Sequence, residues 1–187
     1  MSDTDFLTVE SVDNHVMFYS DIDADRALAL MRELRQIDNR LLAEKTSRGV
    51  RFDVPIWLHI NSGGGTAFAS FALVDQIASL NAPVYSIVEG VAASGASLLA
   101  MACKKRYITA NSFVMIHQLS NVAFGTHEEI KDCVAVNEML MENMYSFYER
   151  HSNLDRERVI EMLKRDTWCN ATDALAYGFV DEIGTGG

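Results

Sequence analysis

The sequence predicts an α/β layered fold with parallel strands. Through the first two thirds of the chain, short apolar runs typical of strands alternate with segments of helical periodicity. That alternation favours right-handed βαβ units and parallel pairing. The 187 residues, about half of them apolar, suffice for one domain with a sizeable core. We therefore treat residues 1–187 as a single domain, of which residues 1–15 form an N-terminal segment.

The first half of the chain predicts three strands, two helices and one long loop. Asp23 is expected to cap the first helix, because its carboxylate can accept the free N–H groups there. The polar segment after this helix predicts a loop. In order, the elements are strand Val16–Tyr19, helix Ala24 to about Leu42, loop Ala43–Val54, strand Ile56–Ile60, helix Ala67–Leu80 and strand Val84–Val88.

The second half begins with a helix of small residues near Ser94 and contains one long helix. Thr126 and Glu129 have the spacing of a capping box, which predicts where the long helix starts. The other predicted elements are strands Tyr107–Thr109 and Phe113–Ile116, a helix over about Asp155–Lys164 and a turn at Asp173–Tyr177.

Charge and cysteine usage argue against several classes of function. The formal net charge is −10 and the densest basic run, Lys104–Arg106, reads as a solvated turn, so we expect no nucleic-acid partner. Three cysteines without metal-ligand spacing indicate free thiols in a reducing compartment, and we expect no metal and no cofactor. Without a signal peptide or a membrane-length apolar run, the sequence predicts a cytoplasmic protein with no membrane partner.

A glycine run, Gly63–Gly65, leaves the predicted strand Ile56–Ile60 and enters a helix. Consecutive glycines let the backbone turn sharply and present N–H groups to an anion. The run lacks the Lys-Ser/Thr ending of a P-loop, so an oxyanion suits it better than a phosphate. A plain tight turn is the alternative.

Ser94 would stand at a helix N-terminus, where free N–H groups stabilise developing negative charge. The N–H of Gly95 could be one oxyanion donor, and a glycine N–H from Gly64 or Gly65 the other. Ser97, one helical turn further on, is the competing nucleophile and is expected to be buried. A small-residue helix that packs closely on the sheet is the alternative.

His117 ends an apolar strand, and it becomes a candidate base only beside a hydroxyl and an orienting carboxylate. Asp166 follows a helix and precedes bulky residues, and it could supply that carboxylate or simply form a cap or salt bridge. Asp173 is expected to be an N-cap and Asp181 a loop carboxylate.

Taken together, these segments resemble the ClpP serine peptidases, in register from about Val16 to Gly184. The resemblance implies a ClpP/crotonase-like spiral of ββα units with a protruding handle helix over about residues 121–150, entered by a strand at Asn121–Gly125. The segments that carry it are Ile60–Gly65, Gly90–Ser94, Met115–Gln118, Arg165-Asp166 and Ala174–Asp181.

The resemblance also implies roles for individual residues. Ser94 would attack the scissile carbonyl, His117 would move its proton and Asp166 would orient the imidazole. The N–H groups of Gly65 and Gly95 would form the oxyanion hole. An extended peptide would pair with the backbone at Thr66, Ala67, Phe68, Gln118 and Leu119.

Members of this family form stacked heptameric rings that hydrolyse unfolded polypeptides inside a chamber fed by a Clp ATPase. We expect such a homo-oligomer here. About fifteen residues precede the first predicted strand, fewer than the family's axial segment needs, which argues against ATPase docking. Gly63 stands in place of a proline and Gly95 in place of a methionine, and Ala43–Val54 looks inserted. These departures indicate a divergent member, cellular or phage-encoded.

Three other functions stay open at this point. A capsid-maturation protease of the same fold would use the same residues. A crotonase-like acyl-CoA enzyme shares the architecture but would not need Ser94, His117 and Asp166 together, and it would want a basic CoA-binding patch. A non-catalytic ring subunit has no chemical reason to keep all three residue types.

Overall fold

The computed structural model describes residues 9–48 and 54–186, and within them eight strands and six helices. The strands are β1 (Val9–Val12), β2 (His15–Phe18), β3 (Ile56–Ser62), β4 (Val84–Ala93), β5 (Lys105–Ile108), β6 (Phe113–Ile116), β7 (Thr167–Asn170) and β8 (Glu182–Ile183). The helices are α1 (Ala24–Arg48), α2 (Ala67–Ser79), α3 (Gly95–Met101), α4 (His127–His151), α5 (Arg156–Leu163) and α6 (Ala171–Ala176).

The sheet is organised around β4, which pairs with three other strands. One edge of β4 pairs in parallel with β3, and the other edge pairs first with β5 and then with β6. Beyond β3 come β2 and the antiparallel β1, while β8 extends β5 and β7 lies antiparallel to β6. This mixed α/β architecture confirms the predicted fold class.

Alternation along β3 shows how the sheet is buried. Ile56, Leu58 and Ile60 are fully buried, whereas Trp57 and His59 between them are partly exposed. The buried residues join those of α1, α2 and α3 in one hydrophobic core. A half-buried surface of this kind is what period-two patterning predicts.

The predicted loop at Ala43–Val54 is wrong over its first part, because α1 continues to Arg48. Its polar residues form an exposed helical end, where Arg40 pairs with Glu44 and the Thr46 hydroxyl donates to the Leu42 carbonyl. Residues 49–53 of that prediction lie outside the described residues. The predicted cap is confirmed, since Asp23 Oδ1 accepts from the Arg26 N–H at 2.8 Å.

Two strands differ from the sequence-based expectation. The first described strand is β1, not the strand at Val16–Tyr19, and it pairs antiparallel with β2. Strand β4 does not end at Val88 but passes through Gly90 to Ala93. Gly90 permits this because it adopts φ of 93°, and its N–H donates to the Ser112 hydroxyl at 2.6 Å.

The basic run Lys104–Arg106 is a solvated turn only at Lys104, which lies in an exposed bend, because Lys105 and Arg106 already begin β5. The Arg106 guanidinium donates to the His151 carbonyl at 2.6 Å and to the Gly178 carbonyl at 2.9 Å, and it pairs with Asp181. Asp181 is thus an ion-pair partner that ties the C-terminal segment to β5.

The C-terminal region contains more regular structure than predicted. The predicted turn at Asp173–Tyr177 belongs to helix α6, which starts at Ala171. Asn170 caps it by accepting from the Asp173 N–H at 2.9 Å, so Asp173 lies inside the first turn and is not the N-cap. Strands β7 and β8, which flank this helix, were not predicted.

Helix α4 is the long helix that the capping box predicted. Both halves of the box form, because Glu129 N–H meets the Thr126 hydroxyl and the Glu129 carboxylate meets the Thr126 N–H. Its second half buries one face, formed by Leu140, Met144, Phe147 and Tyr148, but its first half exposes apolar side chains. The segment Asn121–Gly125, which the structure describes, forms no strand, since no neighbouring strand of this chain pairs with it.

The three cysteines are free thiols, as their spacing predicted. Burial raises the pKa of Cys103 to about 12 and that of Cys169 to about 11. Across residues 9–48 and 54–186, no helix is both long and apolar enough to cross a membrane.

Candidate active site

Ser94 lies on a strained turn between β4 and α3. Its backbone adopts φ of 54° and ψ of −125°, a region that costs a residue with a side chain about 1–3 kcal/mol. The turn is held because the Ser94 N–H donates to the Met115 carbonyl at 2.8 Å. Ser94 is half-buried while every residue of α3 is buried, so the turn lifts its hydroxyl out of the core.

His117 directly follows β6 and faces the Ser94 hydroxyl. Its Nε2 atom lies 2.7 Å from Ser94 Oγ, which is hydrogen-bonding distance. The chain beyond the histidine is fixed because the Gln118 N–H donates to the Leu163 carbonyl at 2.6 Å. The structure therefore places the predicted base beside the predicted nucleophile.

Asp166 directly precedes β7, the antiparallel partner of β6. The register pairs Ile116 with Thr167, so the residues next to them, His117 and Asp166, come together. His117 Nδ1 lies 3.3 Å from Asp166 Oδ1. The aspartate side chain is 67% exposed and the histidine side chain 24%, so water reaches this end of the site more easily.

The glycine loop packs against the nucleophile turn. Ile22 forms a parallel β-bridge with the glycine loop at Gly65. The Ile22 N–H donates to the Gly64 carbonyl at 2.7 Å, and the Thr66 N–H donates to the Ile22 carbonyl at 2.9 Å. In such a parallel bridge the N–H of the intervening Gly65 points away from Ile22. Gly64 has no room for a side chain, because a Cβ there would lie 2.7 Å from Ser94 Cβ.

Gly95 is the first residue of α3, so its N–H lacks an acceptor within the helix. A Cβ built on Gly95 would lie 3.6 Å from the Gly65 nitrogen, so the glycine loop is in van der Waals contact with the start of α3. The same Cβ would overlap the Ser70 hydroxyl oxygen, and Ser70 Cβ would be 3.1 Å away. Ser70 thus occupies the space that a side chain at position 95 would need.

The five predicted peptide-binding residues flank this site with different degrees of exposure. Thr66, Phe68 and Gln118 are exposed, and Ala67 and Leu119 are half-buried. Three of their N–H groups already have acceptors. Thr66 donates to Ile22, Gln118 to Leu163, and Leu119 to the Met141 sulfur at 3.2 Å. At Gln118 and Leu119 any pairing with a peptide would rely on their carbonyls, whereas the Thr66 carbonyl already accepts from the N–H and the hydroxyl of Ser70.

Ser97, the competing nucleophile, is fully buried. Its hydroxyl donates to the Ser94 carbonyl and contacts the Tyr148 hydroxyl, so it faces the interior. The site also involves Ile22, Ser70 and Tyr148, which the sequence analysis did not identify. Each acts through backbone or buried contacts across the fold, and no motif in the sequence marks them.

The sequence model of the Clp protease family matches residues 11–186. The chain belongs to the Clp protease family. One Clp protease relative, the ATP-dependent Clp protease proteolytic subunit 2 of Treponema denticola, is 34% identical over 131 residues, which cover 69% of this chain and 66% of that protein. Another, the ATP-dependent Clp protease proteolytic subunit 1 of Protochlamydia amoebophila, is 31% identical over 179 residues, which cover 92% and 81% respectively.

Membership of the Clp protease family supports a ClpP-type peptidase, as the resemblance implied. It also accounts for the fold, since the mixed α/β sheet and its helices are consistent with the ClpP architecture. Clp proteases are generally oligomeric and work with Clp ATPases. The peptidase assignment is therefore favoured over the acyl-CoA alternative.

Proposed function

We propose that this chain is a serine endopeptidase in which Ser94, His117 and Asp166 form a catalytic triad. The observation that carries the proposal is the 2.7 Å distance between His117 Nε2 and Ser94 Oγ, with Asp166 on the other ring nitrogen at 3.3 Å. A hydroxyl, a base and an orienting carboxylate in this order are what acyl transfer to serine requires.

In the proposed reaction the Ser94 oxygen attacks the scissile carbonyl carbon while His117 Nε2 takes the hydroxyl proton. The C=O electron pair moves onto oxygen, and the N–H groups of Gly65 and Gly95 stabilise that negative charge. His117 then gives the proton to the leaving amine and the acyl-enzyme forms. A water activated by the same histidine hydrolyses the ester and releases Ser94.

Asp166 would hold the Nδ1–H tautomer of His117 and stabilise the imidazolium that forms during attack. Because its side chain is 67% exposed, solvent would weaken this electrostatic contribution. We expect a closer Asp166–His117 contact in the assembled enzyme, where a neighbouring copy could exclude water from the site.

We further propose that the chain assembles into stacked heptameric rings that enclose the active sites, that unfolded polypeptides are the substrates, and that a Clp ATPase can feed them. Support comes from the exposed apolar side chains on the first half of α4 and just before it. These side chains are Val122, Phe124, Ile130, Val134, Val136 and Met139. Clustered apolar exposure of this kind is typical of an interface. The buried free thiols favour a reducing cytoplasm.

A fluorophosphonate probe applied to the assembled protein tests the triad. We expect covalent labelling at Ser94, none in Ser94→Ala, and labelling slowed about 10²-fold or more in His117→Ala, since general-base catalysis contributes about that much. Ser47→Ala, on the exposed end of α1, is the matched serine control. An assembled, folded protein that the probe leaves unmodified at Ser94 would exclude the serine mechanism.

A further inference from the structure

We infer that Tyr148 and Ser97 are positioning residues that aim the Gly95 N–H into the oxyanion hole. The inference rests on the proposed serine mechanism and extends it to helix α4, which lies far from Ser94 in the sequence. It concerns a chain of three hydrogen-bonding groups, two of them fully buried, beneath the nucleophile turn.

The chain of groups begins at the carbonyl of Ser94. That oxygen accepts twice from Ser97, from its hydroxyl at 2.6 Å and from its N–H at 3.0 Å. The Ser97 oxygen lies 2.7 Å from the Tyr148 hydroxyl. Both side chains are completely buried, so water cannot replace either group.

The direction of these hydrogen bonds follows from the number of protons. The Ser94 carbonyl has no proton and can only accept, so the Ser97 hydroxyl donates its single proton to that carbonyl. The Tyr148 hydroxyl must then donate to Ser97. Burial raises the pKa of Tyr148 well above its ordinary value, so the phenol keeps the proton that it donates.

The consequence for catalysis comes from the planarity of one peptide bond. The carbonyl of Ser94 and the N–H of Gly95 belong to the same trans peptide and point in opposite directions. When Ser97 and Tyr148 hold the carbonyl toward the core, the N–H is held toward the surface, on the side where a substrate oxyanion would lie. The positive φ of Ser94 makes this clamp necessary, since that conformation is not favoured on its own.

Tyr148 also anchors α4 to the active-site core. Its ring lies among Phe147 and Phe179, at centroid separations of 5.9 Å and 6.5 Å. The hydroxyl that completes the clamp therefore comes from the same helix whose first half exposes the proposed interface. Ser97 belongs to α3, which starts directly after Ser94, so the contact between Ser97 and Tyr148 joins α3 to α4.

Tyr148→Phe tests the inference because it removes one oxygen and keeps the ring. With a blocked peptidyl coumarin amide as substrate, we expect kcat to fall about 10-fold with KM nearly unchanged, a fraction of what losing an oxyanion donor costs. Binding of a peptide aldehyde, which forms a tetrahedral adduct, should weaken in proportion. Tyr145→Phe, three residues earlier on α4, is the matched control and should leave both quantities at wild-type values.

Ser97→Ala should have a larger effect, because it removes one bond to the Ser94 carbonyl and leaves the Tyr148 hydroxyl buried without its acceptor. We expect a lower Tm and a kcat reduced about 30-fold. Adding Tyr148→Phe should restore part of the Tm without lowering kcat further, since both residues act through one chain of bonds. Ser86→Ala removes a similar buried bond, to the Ala100 carbonyl at the other end of α3, and serves as the control.

Two outcomes overturn the inference while leaving the proposed mechanism intact. In the first, Ser94 is labelled by fluorophosphonate and Tyr148→Phe keeps wild-type kcat and aldehyde affinity. In the second, the effect of Tyr148→Phe falls on KM alone. If Ser94 of the wild-type protein is not labelled, the proposed serine mechanism itself is wrong. If Ser97→Ala does not fold, the kinetics of Tyr148→Phe alone still test the positioning role.

Discussion

Ser70 on α2 fills the space that a side chain at Gly95 would occupy, so the two residues exclude each other. A Cβ on Gly95 would overlap the Ser70 hydroxyl oxygen and lie 3.1 Å from Ser70 Cβ. Ser70 is fully buried and its hydroxyl donates to the Thr66 carbonyl at 2.9 Å, which keeps it in place. The helix that follows the glycine loop is thereby packed directly on the proposed oxyanion donor.

We predict that Gly95→Ala lowers kcat/KM about 100-fold, because the methyl group must push the Gly95 N–H away from the oxyanion or displace α2. The double variant with Ser70→Ala should recover much of that activity, since the remaining Cβ contact at 3.1 Å is relieved by a small shift. Steady-state hydrolysis of a peptidyl coumarin amide measures both. Wild-type activity in Gly95→Ala alone would contradict this packing.

Asp166→Asn should reduce kcat about 10²-fold to 10³-fold, less than the roughly 10⁴-fold known for a buried triad aspartate. An amide can stabilise the wrong histidine tautomer, but the 67% exposure of Asp166 lets water compensate in part. The comparison variant is Asp155→Asn, which replaces the α5 cap with an equally good one. If Asp166→Asn and Asp155→Asn had the same kcat, Asp166 would have no role in the mechanism.

A second polar network lies on the partly exposed face of strands β2, β3 and β4. His15 Nδ1 is 2.9 Å from His59 Nε2, and His59 Nδ1 is 3.0 Å from Glu89, which Tyr19 also contacts. Burial lowers the pKa of His15 from 6.5, the nearby His59 lowers it further, and Asp13 opposes the shift. Burial beside Glu89 raises the pKa of Tyr19 to about 12, so the phenol stays a donor.

The His15 shift predicts how stability depends on pH. Because the folded chain resists protonation of His15, the unfolded chain binds that proton first as the pH falls. The free energy of unfolding should therefore be highest above pH 6.5 and decline as the pH drops below that value. Urea titrations of wild type and His15→Asn should show a weaker decline in the variant, with His127→Asn as an exposed control. Identical declines in wild type and His15→Asn would argue against the shift.

The exposed apolar side chains of α4 predict how assembly responds to charge. Val134→Asp and Met139→Glu alter side chains of residues that are 49% and 68% exposed in the single chain, so the fold should tolerate them. An interface between copies of the chain would not tolerate the new charges. We therefore expect light scattering to report a complex of about half the wild-type mass or less. Asn143→Asp adds the same charge at an exposed polar site of α4 and should keep the wild-type mass. Unchanged mass in the two interface variants would place the contact elsewhere.

The sequence predicted the α/β class and the long helices well, because their periodicity is strong. Sequence-based prediction failed where only the polarity of a segment could distinguish a loop from regular secondary structure. The charged stretch after Leu42 suits a loop and an exposed helix end equally, and the Arg40–Glu44 pair belongs to the helix. Strand β4 was cut short at Gly90 because glycine usually interrupts strands, whereas here the Ser112 hydroxyl binds its N–H.

Some residues of the candidate site could be predicted from the sequence and others could not. Residue type and order made Ser94, His117 and Asp166 candidates. The β6–β7 register brings His117 and Asp166 together, and the β4–β6 pairing brings Ser94 beside them. Their catalytic roles stay predictions. Ile22, Ser70 and Tyr148 could not be found in this way, because each contributes through a partner distant in sequence that only the folded chain brings near.

The triple pairing of β4 has a consequence for how the molecule opens. Because β3 and β5 bind both edges of its first half, the amide protons of Tyr85–Val88 should exchange with solvent only when the whole sheet comes apart. The turn that carries Ser94 continues this strand. Thermal inactivation and global melting should therefore coincide, and no partially opened form should lose the active site while the rest of the molecule stays intact.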